Sequence, residues 1–258
     1  MKATAPEVRG MVPEKMYFSC PTGKKVIVTH ILLLIFMSAS ISLFSEELDL
    51  ESWYKEETRS EAYQEIHREL TILINSIEET EIPVSLLMEK LREGSSKRVP
   101  ARRLLLALNE EVNRLRIAEQ ILSESDVVFK SINEETSLYR GISILLAGGL
   151  SEKTIQTLIR TNNQTDNRTD SFIAAGHALL GVQAVAPLSR ENIQRLGEAL
   201  VESELPFQMY SAITSLFLKG MVQRLQSETI LEIIIDILNH HGGIVQIERE
   251  LNRRSSRR

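Results

Sequence analysis

Hydrophobic residues along this chain recur at intervals of three and four, the spacing that places them on one face of an α-helix. Between about residues 60 and 79 these positions are Tyr63, Ile66, Leu70, Leu73 and Ile77. After Pro100 a second stripe continues to about residue 122, at Leu105, Leu108, Val112, Leu115, Ala118 and Leu122. The other face of this second helix carries Glu110, Glu111, Arg114 and Arg116. We interpret that charged face as solvated.

A short pattern occurs three times in the second half of the chain. In residues 150–158 and 188–196, leucine, serine, isoleucine, glutamine and leucine occupy the same offsets. Residues 225–233 form a looser third copy, in which Gln226 precedes Ser227. The copies start 38 and 37 residues apart. A constant period in this range indicates stacked helical units, none of which can bury its apolar face alone.

Local signals give the limits of the other helices. Ser151 and Ser189 stand where an N-cap is needed, ahead of the apolar positions of the first two copies. The predicted elements are a short helix at Ser85–Arg92 closed by Glu93-Gly94, a polar loop at Arg160–Arg168, and helices at Phe172–Val185, Phe207–Met221 and Thr229–Asn239. The last of these is apolar all round, which predicts a helix buried among neighbours.

The composition supports a helical fold. Hydrophobic residues make up 43% of the 258 residues, but aromatic residues only 5%, so the core must consist mainly of Leu, Ile, Val and Ala. Such a core suits packed helices better than a β-sandwich. We predict an all-α fold of stacked helical hairpins, solenoid-like with a repeat of 37–38 residues, following an N-terminal signal segment.

The charge distribution argues against nucleic acid as a partner. The formal net charge is −5, and residues 1–45 hold five basic and two acidic groups, which leaves −8 on the remainder. An acidic body of this kind repels polyanions such as DNA.

The first part of the chain predicts export. Val26–Phe44 contains no charged residue, Lys24-Lys25 precede it, and Glu46-Glu47 follow it. A basic flank, an apolar run and small residues are the layout of a secretory signal peptide, for which we expect cleavage after Ser45, with Ser40 and Ser42 as alternatives. The alternative is an uncleaved inner-membrane anchor, since 19 residues of helix reach about 28 Å.

The residues before this segment bear on its processing. They are numerous for a signal peptide, so translation could start at Met1, Met11 or Met16. The single cysteine, Cys20, precedes the apolar run, whereas lipidation of a bacterial lipoprotein needs a cysteine just after it. We therefore expect no lipid anchor, and no disulfide in the exported body.

One segment resembles a known group of proteins. Residues 87–100 read LMEKLREGSSKRVP, a pattern similar to the L-x-x-K-x-x-E-G…K-x-V-P motif of exported bacterial helical proteins without an assigned function. Ser95-Ser96 depart from the small apolar pair expected there. The resemblance implies export and a helix–turn–helix, but no activity. Physically, Gly94 could take a left-handed C-cap and Pro100 could start a helix.

Candidate chemistry is sparse. Lys90, Glu93 and Lys97 are candidate binding residues, although a purely structural helix–turn–helix explains them equally well. No nucleophile elbow, phosphate-binding glycine loop or zinc-binding histidine pair occurs, so we predict no catalytic residue, metal or cofactor. His177 is expected to be packed or half-exposed, and His240-His241 to form a polar helix end.

These observations divide the chain into a signal peptide at residues 1–45, an N-terminal helical part at 46–130, a repeat part at 131–252 and a basic tail at 253–258, which we expect to be disordered. The expected function is an interaction scaffold in the periplasm or an equivalent exported space. Its partner would be a protein or another envelope component, and it would meet the membrane only through the signal segment. The alternative is an enzyme of unrecognised type acting on an envelope polymer.

Overall fold

A computed structural model describes residues 50–56, 60–162 and 168–256. Among these residues every regular element is a helix, which confirms the all-α prediction. The helices are α1 (Leu50–Glu56), a 3-10 helix (Ser60–Ile66), α2 (His67–Glu78), α3 (Val84–Ser96), α4 (Ala101–Ser123), α5 (Ile132–Ala147), α6 (Glu152–Asn162), α7 (Arg168–Val185), α8 (Arg190–Glu202), a 3-10 turn (Phe207–Met209), α9 (Ser211–Val222), α10 (Ser227–Asn239) and α11 (Ile244–Ser255).

The predicted signal segment lies outside the described residues. None of the helices that the structure does describe is long and apolar enough to span a bilayer. Cleavage and anchoring of Val26–Phe44 therefore stay predictions.

Eight of the described helices form two parallel rows. The first row is α4, α6, α8 and α10, in which each helix packs on the next, and the second row is α5, α7, α9 and α11, packed in the same way. The chain alternates between the rows, so consecutive helices form four hairpins, α4–α5 to α10–α11. This arrangement is the predicted stack of helical hairpins.

The sequence repeat marks the starts of three first-row helices, α6, α8 and α10. Ser151 Oγ accepts a hydrogen bond from Thr154 N at 3.2 Å, and Ser189 Oγ accepts one from Asn192 N at 3.2 Å, so both serines are N-caps as predicted. In the third copy Gln226 occupies the cap position without a side-chain cap. The period of 37–38 residues is the chain length from the start of α6 to that of α8 and from α8 to α10, whereas α4 starts 152 − 101 = 51 residues before α6.

The apolar positions of the repeat point into the space between the rows. Ile155, Ile193 and Ile230 occupy the same offset and are at most 4% exposed. The leucines that begin the first and third copies, Leu150 and Leu225, are also buried. Burial of one such side chain stabilises the fold by roughly 1.5–3 kcal/mol, so the repeated positions hold adjacent hairpins together.

Glycine allows the second-row helices to approach closely. A methyl group on Gly176 would overlap the side chain of Leu145 on α5, and one on Gly181 would overlap Thr214 on α9. Thr214 Oγ1 in turn lies 3.4 Å from the carbonyl oxygen of Ala178. The central helix α7 is therefore packed tightly on both neighbours in its row.

The predicted end of the short helix after Pro83 is wrong. Gly94 lies inside α3 and is buried, and a side chain there would collide with Leu104 of α4. The left-handed residue is Arg98, at φ 55°. Val99 N donates to the Gly94 oxygen and Arg98 N to the Ser95 oxygen, both at 3.0 Å, which is a Schellman end. Gly94 thus serves helix packing rather than the cap.

The segment before residue 60 contributes a helix to the core. It contains α1, whose Trp53 is 1% exposed, and Tyr54 Oη donates to the Tyr63 oxygen at 3.1 Å. Tyr63 Oη donates to the Val99 oxygen at 2.9 Å, which ties this region to the turn before α4. Burial, with a smaller effect of nearby Glu51, raises the pKa of Tyr54 to about 12.

The start of the basic tail is also ordered, contrary to prediction. Arg253 and Arg254 form the last turns of α11, and both bond to Glu250, with Arg254 Nε 2.8 Å from Glu250 Oε1. Hydrogen bonds from these two guanidinium groups lower the pKa of Glu250 to about 2. Ion pairs spaced at i, i+3 and i, i+4 stabilise a helix end of this kind.

Candidate functional site

The first candidate site is a cleft between α3 and α5, which both pack on α4. Its volume is about 330 Å³. Its polar lining includes Lys90 and Glu93 from α3, Glu111 and Arg114 from α4, and Arg140 and Ser143 from α5. We call it the α3–α5 cleft.

A buried hydrogen-bond network forms the floor of the α3–α5 cleft. Ser143 Oγ donates to Glu111 Oε1 at 2.7 Å, and Arg114 Nη2 donates to Glu111 Oε2 at 2.7 Å. Arg114 Nε lies 3.3 Å from Ser143 Oγ and donates to it. Glu111 is 8% exposed and Ser143 2% exposed. Each oxygen of the buried carboxylate is therefore paired, as burial of a charge requires.

The prediction of a solvated face on α4 is wrong for Glu111 and Arg114. Helix α5 lies along this face and covers both residues, while Glu110 and Arg116 remain exposed. Helical spacing already separates Glu111 from Glu110, because Glu111 lies three residues after Leu108 and four before Leu115, within the apolar stripe of α4. A second local hint is Ser143, a polar residue within the apolar stripe of α5.

An ion pair joins the two walls of the α3–α5 cleft. Arg140 Nη2 of α5 lies 2.8 Å and 2.7 Å from the two carboxylate oxygens of Glu89 on α3. The side chains are 45% and 52% exposed, so water screens this pair, unlike the buried network beneath it.

The three predicted binding residues bond to one another along α3. Glu93 Oε1 lies 2.5 Å from Lys97 Nζ, and Oε2 lies 3.4 Å from Lys90 Nζ. The hydrogen bond from Lys97 and the charge of Lys90 hold the pKa of Glu93 below its usual range. Lys90 and Glu93 line the cleft, whereas Lys97 lies one turn beyond it. Two of the three are thus brought to a concave surface.

The second candidate site is a groove on the second row, between α7 and α9. Its volume is about 400 Å³, and its lining includes Ile173, Ala174 and His177 from α7, Phe207 from the 3-10 turn, and Ser211 and Thr214 from α9. Small and apolar side chains form most of it, and His177 is exposed at its edge. We call it the α7–α9 groove.

Helices α7 and α9 carry fewer charged side chains than α8 and α10. Arg195 Nη1 of α8 pairs with Glu232 Oε1 of α10 at 2.8 Å. Lys219 is the single charged residue of α9, and it pairs with Glu248 of α11. Asp170, in the first turn of α7, is the one charged residue among those that line the α7–α9 groove.

A third concave surface lies at the C-terminal end of the stack, between α10 and α11. Its volume is about 910 Å³, and it is lined by acidic residues of α10 such as Glu228 and Asp236 and by basic residues of α11 such as Arg249. Terminal units of repeat proteins need a polar outer face because no further unit covers them. Helix α10 is therefore apolar toward its neighbours and charged on this side.

Among the described histidines, only the consecutive His240 and His241 are neighbours. His241 Nδ1 is 3.6 Å from Glu204 Oε1, and His240 Nδ1 is 2.7 Å from the Asp236 carbonyl oxygen. His67 Nε2 is 3.6 Å from Glu51 Oε1. Within the part of the chain that the structure describes, no three histidine, cysteine, aspartate or glutamate residues are grouped so that they could hold a metal ion.

Four glutamates in the described ranges have a lowered pKa. An enzyme acting on a polymer would need a carboxylate whose pKa is raised toward neutrality. The pKa values of Glu93, Glu124, Glu232 and Glu250 are instead lowered, chiefly by hydrogen bonds from lysine, glutamine or arginine side chains.

Comparison with family models, with curated proteins and with solved structures finds no match to this chain. The likeness of residues 87–100 to a group of exported helical proteins stays a prediction. Function is therefore argued from the α3–α5 cleft and the α7–α9 groove.

Proposed function

We propose that the chain is an exported helical-repeat protein that acts as an interaction scaffold for a protein or another envelope component. The observation that carries this proposal is the α7–α9 groove, a channel on the second row that is lined mainly by small and apolar side chains, with Asp170 as the one charged residue of its lining. Solenoid proteins use such extended surfaces to hold partners.

The groove suits an extended peptide segment of a partner protein. Ala174 and Ala178 leave room above α7, and the ring of Phe207 closes one side. The edge offers the His177 ring and the Ser211 hydroxyl as hydrogen-bonding groups. Apolar side chains of the peptide would fill the floor, while its backbone would bond at the edge.

The first-row surface is a poorer docking face. Its charged groups already pair with each other, as Arg195 does with Glu232, and a partner would have to displace these pairs or leave them in water. Surface ion pairs add little to affinity. The second row is therefore the side on which we place the partner.

Export rests on the sequence. Lys24-Lys25 before the apolar run and Glu46-Glu47 after it favour an N-terminus in the cytoplasm and transfer of the body across the membrane. Once the segment is cleaved, the body would work in the periplasm or an equivalent space, where its partner would be found.

Site-specific crosslinking in cells tests the scaffold. A photo-crosslinking amino acid in place of His177 samples the groove, and the same group in place of Lys153, exposed on α6, samples the first row. We expect one crosslinked species from position 177 and not from position 153. Ser211→Trp, which fills the groove from an exposed position, should abolish it.

The matched control is Ala184→Trp, an exposed position on α7 that does not line the groove. It should leave crosslinking unchanged. Equal crosslinking from both rows, or a crosslink that survives Ser211→Trp, would contradict the proposed docking face.

A further inference from the structure

We propose that the α3–α5 cleft is a binding site for a small carboxylate with a short apolar body, recognised by the guanidinium group of Arg114. This site is separate from the α7–α9 groove, and it does not depend on the scaffold role.

Two hydrogen bonds hold the side chain of Arg114 in one orientation. Its Nε and Nη2 atoms donate to Ser143 and Glu111, which fixes the plane of the guanidinium group. Nη1 makes no hydrogen bond to any residue in the described ranges, and the side chain remains 25% exposed in the cleft. A fixed guanidinium with a free edge offers the planar donor geometry that matches a carboxylate.

The buried network of Glu111, Arg114 and Ser143 is not the most stabilising way to pack α4 on α5. Removing Glu111 and Arg114 from water is costly, and apolar residues of similar size would hold α4 and α5 together at least as well. The network lies beneath an open cleft rather than in the sealed core. A preorganised binding group requires buried hydrogen bonds of this kind, which hold its side chain in one orientation.

The charged residues that line the cleft balance one another. They are the basic Lys90, Arg114 and Arg140 and the acidic Glu89, Glu93 and Glu111. The chain as a whole has a net charge of −5, so the cleft repels an anion less than the rest of the surface does.

The apolar part of the lining defines the rest of the ligand. Leu86 of α3 faces Ile144 and Ala147 of α5 across the cleft, and Ile144 is 43% exposed there. The volume of about 330 Å³ lies at the lower end of the range for small-molecule sites. A short hydrocarbon group would cover Ile144 and fill this space.

A ligand could enter the cleft when the ion pair between Glu89 and Arg140 opens. Both side chains are about half exposed, so opening the pair is inexpensive. Once opened, Arg140 could add a second positive group near the bound carboxylate.

Calorimetric titration of the purified protein tests the site with three probes of equal chain length: octanoate, 1-octanol and octylammonium. We expect saturable binding of octanoate with one site per chain, and at least tenfold weaker binding of the other two, because neither of them can accept the fork of donors from Arg114. Equal binding of octanoate and 1-octanol would overturn the proposal, since it would show only an apolar surface.

Three variants distinguish binding in the α3–α5 cleft from binding elsewhere on the protein. Ala147→Trp fills the cleft from an exposed position and should abolish octanoate binding, while Ala184→Trp on the exposed face of α7 should not. The double variant Glu111→Gln/Arg114→Gln removes both buried charges together, so that neither is left unpaired. We expect it to keep its helical circular dichroism spectrum and to lose octanoate binding at least tenfold.

The carboxylate could belong to a free acid or to the C-terminus of a peptide. A leucine tripeptide, acetylated at its N-terminus, is therefore titrated as the free acid and as the amide. Tighter binding of octanoate identifies a free acid as the ligand class, whereas tighter binding of the peptide acid, with the amide inactive, identifies a chain terminus. Failure of both acids to bind, or octanoate binding that survives Ala147→Trp, would overturn the assignment.

Discussion

Whether a charged residue of this protein is buried or exposed depends on which neighbouring helix covers it. Glu110 and Glu111 are adjacent on α4, yet Glu110 is exposed, while Glu111 is buried under α5 with its two oxygens bonded to Ser143 and Arg114. Their contributions to stability should therefore differ strongly.

We expect Glu111→Ala to lower the free energy of unfolding by about 2–3 kcal/mol, because it leaves the half-buried Arg114 without its counter-charge. Glu110→Ala should change it by less than about 0.5 kcal/mol. Urea denaturation followed by circular dichroism at 222 nm measures both. Similar values for the two variants would mean that α5 does not cover Glu111 in solution.

A second residue-scale prediction concerns the end of α3. Arg98 has φ 55°, a left-handed conformation that favours glycine. Arg98→Gly should raise the free energy of unfolding by up to about 1 kcal/mol, since it removes this strain. The same substitution at Arg92, inside the helix and exposed, should lower it by about 1 kcal/mol. Destabilisation by both substitutions would show that α3 does not end at Arg98.

At the scale of elements, adjacent first-row helices are joined by the buried repeat positions and, at the surface, by the ion pair between Arg195 of α8 and Glu232 of α10. The hydrogen bond from Arg195 holds the pKa of Glu232 below its usual value of 4.5. A carboxylate with a lowered pKa in the folded state stabilises the fold above its unfolded pKa.

We therefore expect Glu232→Gln to lower the free energy of unfolding at pH 7 by less than about 1 kcal/mol, because both partners are largely exposed. The difference from the wild type should shrink as the pH falls from 4.5 through the folded-state pKa of Glu232. Thermal denaturation between pH 3 and pH 7 measures it. Glu228→Gln, one turn earlier on α10, is the control for simple loss of a charge.

At the scale of the whole molecule, the stack is a two-row solenoid with a groove of mainly small and apolar side chains on the second row and a polar C-terminal end. The place where it works depends on the segment before residue 46, which lies outside the described residues.

N-terminal sequencing of the protein purified from cells decides this point. We expect a mature chain that begins between Ile41 and Glu46 and is released with the periplasmic fraction, since the basic flank, the apolar run and the small residues form a cleavable signal. A membrane-bound protein that retains Lys24 would show instead that Val26–Phe44 is an anchor.

The fold class and the repeat could be predicted from the amino-acid sequence alone. Helical periodicity depends on local spacing, so the stripe from Tyr63 to Ile77 and the N-caps Ser151 and Ser189 could be identified without a structure. The period of 37–38 residues also indicated stacked hairpins, because each unit must bury its face against the next.

The hydrogen bonds between polar residues of different helices could be identified only from the tertiary structure. Glu111 and Ser143 are 32 residues apart and belong to different helices, and their hydrogen bond exists because α5 packs along one side of α4. Gly94 was misassigned for the same reason, since its role is set by Leu104 of the next helix. Spacing along a chain fixes which face of a helix is apolar, but the packing of helices fixes where their polar side chains converge.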